Sequence, residues 1–387
     1  MLKNTLNFDD LLWYGRNFDF DGARWFSFSA CGFEFCFTGT EASCVLRSDS
    51  ENWDADHKCV LGVYVSEISA DGYSGSSFWN EFPSSGGNGS VLHKKIVLDK
   101  KNASYLLYKS SCPGTFIVRV IKLSEAAFGL SGLESVEIAG EQVGPASAPD
   151  RSCPKIEFIG DSITCGYGIE GVNGKDSFST LTERPDLAFA FLSAKKLRAG
   201  FSVVSWSGSG LISHYVEPDV EIPCTEMLIP ALWPYTDRST ALRLGLEPEP
   251  WNSARFEPDV VVINLGTNDM SFARDDAGRA ELFTALYCQL LEGIYRRSPD
   301  AAVLCCLGVM GQKLCPQVEA AAARFRKDFP SVSVESVVLP EQLEQDGIGA
   351  DFHPSARTHE KMAELVSERI EKILCAKRHV SLSGDGK

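Results

Sequence analysis

Ile156-Glu157-Phe158-Ile159-Gly160-Asp161-Ser162-Ile163-Thr164 is the stretch on which the fold turns. A short apolar run reads as a strand, the glycine permits a sharp turn, and the serine stands at the start of a following helix. The same alternation then repeats toward the C-terminus. Strands are expected at residues 156–159, 202–205, 260–265, 302–307 and 332–339, and helices at 186–198, 275–297, 317–328 and 355–374. In the last of these Met362, Leu365, Val366, Ile370, Ile373 and Leu374 recur at helical spacing, the stripe of a core-facing helix. Strands separated by helices imply an α/β domain, a parallel sheet with helices on both faces.

Upstream the pattern is different. Short aromatic and β-branched runs, Trp25-Phe26-Ser27-Phe28, Gly32-Phe33-Glu34-Phe35-Cys36-Phe37, Leu61-Gly62-Val63-Tyr64-Val65, Ile96-Val97-Leu98, Tyr105-Leu106-Leu107-Tyr108 and Phe116-Ile117-Val118-Arg119-Val120, alternate with turn clusters such as Ser84-Ser85-Gly86-Gly87-Asn88-Gly89. That spacing predicts an all-β, jelly-roll-like sandwich. The small-residue and proline stretch Val143-Gly144-Pro145-Ala146-Ser147-Ala148-Pro149 reads as a linker. The expected division is therefore a β-sandwich at 1–145, a catalytic domain at 151–376 and a frayed tail at 377–387. No internal repeat is present.

Composition narrows the function. The chain has 387 residues, and about 150 residues per domain agrees with two domains. With 52 Asp and Glu against 37 Lys and Arg, a net charge of −15, there is no basic stripe to engage nucleic acid or an anionic membrane. Thirteen cysteines is an odd number, and Cys305-Cys306 sits in an apolar run, so the thiols read as reduced. The N-terminus lacks the cationic and apolar regions of an export signal, and no apolar run approaches the ~18 residues of a membrane span. A cytoplasmic location is the expectation. His57, His93, His214 and His379 are isolated and no CxxC pair occurs, so no metal site is read.

In open α/β sheets ligands collect at the carboxyl ends of the strands. Four loops there carry chemistry. Gly160-Asp161-Ser162 offers a hydroxyl amid backbone N–H groups at a helix start, although an Asp or Ser helix cap looks the same. Trp206-Ser207-Gly208-Ser209-Gly210 can bring a backbone N–H close to a carbonyl, or be only a glycine turn. Gly266-Thr267-Asn268-Asp269 places an amide that can donate to an oxyanion or cap the next turn. Asp351-Phe352-His353-Pro354 holds an imidazole beside a rigid proline turn. Each alone is commonplace; together, in loops after successive strands, they make one acyl-transfer site possible. Asp161, Asp269 and His359 are read as structural.

These blocks resemble those of the SGNH (GDSL-like) hydrolases. Phe35-Cys36-Phe37-Thr38-Gly39-Thr40, Val120-Ile121-Lys122-Leu123-Ser124-Glu125, the loop from Ile229-Pro230 to Asp237-Arg238 and the ending His353-Pro354-Ser355-Ala356-Arg357-Thr358-His359 are similar to carbohydrate esterase family 2. The resemblance runs from about Trp25 to Leu374. It implies a flavodoxin-like catalytic sheet and a serine esterase that removes acetyl groups from xylan- or mannan-type oligosaccharides without metal or organic cofactor. It further implies that Ser162 is the nucleophile, that His353 is the base, and that the N–H groups of Ser162 and Gly208 with the Asn268 amide form the oxyanion hole. The acid that such enzymes carry three residues before the histidine is replaced by Ala350. Asp351, two residues before it, is the nearby carboxylate, either a third catalytic member or a brace for the loop. Some members of the esterase family use a serine–histidine dyad oriented by a backbone carbonyl. The sequence has no GxSxG, which argues against an α/β-hydrolase solution.

Two other functions fit the same pattern. One keeps the chemistry on lipid or thioester acyl groups; the other is an inactive carbohydrate-binding protein. Among the aromatic residues near the site loops, Trp206, Trp233, Tyr235 and Trp251, Trp233 is the candidate for stacking on a sugar. The expected partner is an acetylated oligosaccharide; the sequence is silent on oligomeric state.

Overall fold

The structure, a computed structural model, describes residues 3–68, 92–143 and 153–384, with side chains through Lys377. The turn cluster at 84–89 and the linker residues 144–149 lie outside the described residues. Contacts divide the chain into two compact units. The first comprises Met1–Cys153, Ser179–Glu183 and Thr236–Glu249; the second comprises Pro154–Phe178, Arg184–Tyr235 and Pro250–Lys387. Two stretches that a linear division leaves in the catalytic domain, Ser179–Glu183 and Thr236–Glu249, thus group with the β-rich unit.

In the first unit the described residues form nine strands: β1 (Asn4–Leu6), β2 (Leu12–Tyr14), β3 (Phe18–Phe20), β4 (Ala23–Trp25), β5 (Gly32–Arg47), β6 (Val60–Ile68), β7 (Leu92–Val97), β8 (Asn102–Lys122) and β9 (Gly132–Gln142). They make an antiparallel sheet in the order β3-β4-β9-β5-β8-β6-β7, with β1 beside β9 and β2 beside β5. The two strands expected around Tyr105 and Phe116 are one strand. Pairing with β5 is interrupted by a bulge between Gly39 and Glu41 and then resumes from Lys109 to Asn102. Pro113, which has no N–H to donate, falls in that bulge, where a sheet tolerates it. Trp25 ends β4, and Phe26 and Phe28 beyond it are fully buried. The Val120 to Glu125 block is structural: the buried Lys122 ammonium donates to the carbonyls of Glu125 (2.7 Å) and Phe128 (3.1 Å). Arg119 and Glu34 form a fully buried ion pair that also takes the Tyr14 hydroxyl at 2.6 Å, so neither charge is left uncompensated.

The second unit is a five-stranded parallel sheet of β10 (Lys155–Gly160), β11 (Gly200–Ser205), β12 (Val260–Asn264), β13 (Ala302–Leu307) and β14 (Val334–Val338), in the order β11-β10-β12-β13-β14. Counted within the unit this is 2-1-3-4-5, the flavodoxin-like order, whose topological switch falls between β10 and β12. Every residue of β12 and β13 is buried, which is why these strands read as unbroken apolar runs. The helices are α1 (Ser162–Cys165), α2 (Phe189–Lys196), α3 (Ile229–Leu232), α5 (Asp269–Ala273), α6 (Ala277–Arg297), α7 (Cys315–Asp328) and α8 (Ala356–Gly384), with α4 (Arg238–Arg243) belonging to the first unit. The pairs α2–α8 and α6–α7 pack against each other and cover the sheet.

Asp276 caps α6 by accepting from Gly278 and Arg279 N–H at 2.8 and 2.9 Å, while Arg296 and Arg297 face the negative end of its dipole. Residue 186 does not begin α2. Asp186 is held by Arg184 in a two-pronged ion pair within a 3-10 turn, and extended Ala188 separates that turn from the helix. Met362, Val366, Ile370 and Ile373 of α8 are buried and Leu365 and Leu374 half-buried, as the stripe requires. The helix runs on past Leu374 through much of the stretch expected to fray.

Candidate active site

Ser162 begins α1 directly after β10, at the switch point. Asp161 caps that short helix, its carboxylate accepting the Ile163 N–H at 3.1 Å, and thereby fixes the turn that presents the serine. Ser162 Oγ lies 2.9 Å from Nε2 of His353, although the two residues are far apart in sequence. The other ring nitrogen, Nδ1, lies 3.1 Å from the backbone carbonyl oxygen of Asp351. A carbonyl can only accept, so Nδ1 carries the proton and Nε2 turns its lone pair to the serine hydroxyl. That is the tautomer a general base needs.

The carboxylate of Asp351 is used elsewhere: its Oδ2 accepts the Tyr167 hydroxyl at 2.9 Å. Of the two readings of Asp351, the geometry is that of the brace. Ala350 is fully buried, and β-carbons added to Gly168 and Gly171 would come within 2.8 and 2.9 Å of its methyl group. Ala350 is thus packed closely against Gly168 and Gly171.

Two further loops bring donors. Gly208, at φ +76°, occupies the left-handed region that a side chain disfavours. Among the described residues, the N–H groups of Ser162 and Gly208 donate to no protein acceptor. The loop that carries Gly208 is held by the buried Asp269 carboxylate, which accepts the N–H groups of Leu211 (2.9 Å), Ile212 (2.6 Å) and Ser213 (3.4 Å). A side chain at Gly210 would collide with that carboxylate. Asn268 precedes α5, yet its side chain does not cap it. Its Nδ2 instead donates to the Ser209 carbonyl at 3.0 Å and, at the long distance of 3.3 Å, to Asp161. The capping use is thus not made. Ser162, Gly208, Asn268 and His353 all stand on loops that follow strands of one sheet.

Burial dominates the electrostatics. It pushes the His353 imidazole down to about 4, with the Asp351 and Ala350 backbone only partly opposing, and Asp161 up to about 7, with the nearby Asp269 adding to the rise. His353 is therefore neutral through the physiological range. The base must be neutral, so activity is lost as pH falls through its folded-state pKa. The acid limb of kcat/KM is expected near pH 4, well below the ~6.5 of a free imidazole. A pH–rate profile checks this; an acid limb at 6.5 or above contradicts it.

Trp233 requires a correction. It is 5% exposed, its Nε1 donates to Glu157 at 3.0 Å, and the Arg297 guanidinium lies 4.0 Å from its ring centre. It follows α3 into the body of the unit and offers no face to a sugar. Trp251 is likewise buried. The sequence reading passed over two other aromatic residues. Phe352, beside the histidine, is 58% exposed, and the Tyr167 ring lies 4.2 Å from the imidazole, centre to centre. The one signal for Tyr167 in the sequence is its place between two glycines, which the structure holds at φ +79° and +62°.

A hydroxyl beside a correctly protonated imidazole, on loops at the carboxyl edge of a flavodoxin-like sheet, is an arrangement suited to acyl transfer. The chain belongs to the GDSL-like lipase/acylhydrolase family, whose model matches residues 158–361, more than half of its length. It is 31% identical over 371 residues to the cellulase/esterase CelE of Acetivibrio thermocellus, a match covering 93% of this chain and 39% of that protein. The chain thus spans about two fifths of that relative. An acetylxylan esterase / glucomannan deacetylase of Cellvibrio japonicus is 27% identical over 323 residues, covering 81% of this chain and 83% of the other. The solved structure of a family two carbohydrate esterase from Clostridium thermocellum in complex with cellohexaose superposes with a TM-score of 0.77 at 27% identity, covering 94% of this chain and 99% of that one.

Proposed function

We propose that the protein is a serine esterase that removes O-acetyl groups from xylan- or mannan-type oligosaccharides through an acetyl-enzyme. The observation that carries this is the 2.9 Å contact between Ser162 Oγ and a His353 Nε2 whose lone pair is fixed by the bond at Nδ1. Ser162 Oγ attacks the acetyl carbonyl carbon as its proton passes to Nε2. The oxyanion takes hydrogen bonds from the N–H groups of Ser162 and Gly208 and from the Asn268 amide. His353 then returns the proton to the sugar oxygen as the ester bond breaks. Water repeats the sequence on the acetyl-enzyme: its proton goes to Nε2, acetate leaves, and the serine hydroxyl is restored. The catalytic set is Ser162 with His353, with Asp351 as the loop brace.

The carbohydrate reading is supported by what the relatives are named to act on, acetylxylan and glucomannan, and by the cellohexaose complex. Exposed Phe352 supplies an apolar face beside the base on which a sugar ring can stack. A division between 145 and 151, with Ser179–Glu183 and Thr236–Glu249 set apart from the catalytic unit, a jelly-roll wrap of the first unit and residence in a reducing, cytoplasmic compartment belong to the same proposal. Burial of Cys31, Cys36, Cys44, Cys59, Cys165, Cys305, Cys306 and Cys315 as thiols fits the last. No described helix is long and apolar enough to cross a membrane.

Acetate release from acetylated xylo- and manno-oligosaccharides, set beside release of long acyl chains from lipid esters, tests the reading. Acetate release with long chains untouched is expected. Preference for long acyl chains, or sugar binding without turnover, contradicts it.

A further inference from the structure

The backbone around His353 is held in an uncommon shape. Asp351 (φ 47°, ψ 40°) and Phe352 (φ 59°) are consecutive residues in the left-handed region, each disfavoured for a side-chain-bearing residue. Three successive N–H groups hold them there: Ala350 donates to the Gly168 carbonyl (2.9 Å), Asp351 to Asp176 (3.0 Å) and Phe352 to Gly174 (3.0 Å). The accepting loop is closed by the Asp176 carboxylate, which takes the N–H groups of Val172 (2.8 Å) and Asn173 (3.1 Å) and the Asn173 amide (2.7 Å). Tyr167 stands at the root of that loop. Its ring stacks on Phe178 at 3.9 Å and 16° on one contact, meets the imidazole at 4.2 Å on another, and its hydroxyl binds the Asp351 carboxylate.

We propose that Tyr167 is a positioning residue that, through its bond to the Asp351 side chain and its contact with the imidazole, aims the Asp351 carbonyl at Nδ1 and so fixes the tautomer of His353. The proposal rests on the reading of His353 as the base. It gives the carboxylate a task other than that of a triad acid: it is an acceptor for a phenol, and the backbone of its residue, not its charge, faces the histidine. An asparagine at 351 keeps an acceptor for Tyr167 and tolerates the left-handed conformation, so the charge is dispensable while the bond is not.

The experiment compares Tyr167→Phe, Asp351→Ala and Asp351→Asn in the full chain. Tyr167→Phe and Asp351→Ala are expected to lower kcat by about tenfold with KM unchanged, the loss of one hydrogen bond, while Asp351→Asn stays within a few-fold of wild type. Nitrogen-15 NMR of the His353 ring gives a readout independent of turnover. The Nδ1–H tautomer is expected in wild type and Asp351→Asn, and a mixture of both tautomers in Tyr167→Phe and Asp351→Ala. An unchanged tautomer together with unchanged kcat in Tyr167→Phe overturns the proposal, as does a loss in Asp351→Asn as deep as in Asp351→Ala. If Ser162→Ala leaves acetate release intact, it is the esterase reading that fails, and the tautomer measurement still judges Tyr167.

Discussion

His353→Ala is expected to lower kcat on an acetyl ester by on the order of 10⁴-fold or more, with KM little changed. The argument is that no neighbouring group can replace it. His359, six residues on, is fully buried in α8; its Nδ1 accepts the Phe189 N–H at 3.1 Å, and burial holds it down to about 3. Its lone pair is already used. Asp351 is engaged with Tyr167, and the backbone carbonyl that contacts His353 is far too weak a base to take the serine proton. Steady-state rates with thermal unfolding of the variant check the point. A folded His353→Ala enzyme within about tenfold of wild type contradicts the base assignment, because a positioned base is worth at least 10²-fold.

Asn268→Ala is expected to cost about 10²- to 10³-fold in kcat, about 2.7–4 kcal/mol of barrier, again with little change in KM. Asn268 is 7% exposed, and its side chain is not used to cap the helix it precedes. One amide hydrogen is committed to the Ser209 carbonyl at 3.0 Å, tying two site loops together. The other makes only the 3.3 Å contact to Asp161, a long and weak bond with which an oxyanion can compete. A donor that strengthens its bond only as charge develops lowers the barrier without tightening ground-state binding, hence the split between kcat and KM. Equal loss in kcat/KM carried entirely by KM in the variant contradicts this role.

The catalytic sheet was legible in the sequence because its strands are buried on both faces. Val260 to Ile263 and Ala302 to Leu307 carry no polar side chain to blur the run, and the helical stripe in α8 shows at its own period. The candidate site residues could be nominated from the sequence because a parallel sheet collects its chemistry in the loops at one edge, and Ser162, Gly208, Asn268 and His353 each follow a recognisable strand.

The β-rich unit was less so. Its strands are long and bulged, so the turn-like Ser110 to Gly114 segment looks like an end where a bulge interrupts pairing that then resumes, and β9 carries too few large apolar residues to stand out. Helix α4 grouping with the first unit depends on packing that no local pattern encodes. Trp233 misled for a related reason. A large aromatic in a loop beside the site has the composition of a sugar platform, and only the bond to Glu157 and the Arg297 contact reveal that the ring faces inward. Tyr167 was missed because its role is a contact with residues nearly two hundred positions away, which spacing along the chain does not disclose.

The most direct test of the account is the rate of acyl release from activated acetyl and butyryl esters by wild type and by Ser162→Ala. Turnover that favours acetyl over butyryl and vanishes in Ser162→Ala, with the variant unfolding at the wild-type temperature, is the expected result. Turnover that survives the substitution, or no turnover by wild type on either ester, contradicts the assignment of Ser162 as the nucleophile of an acetyl esterase.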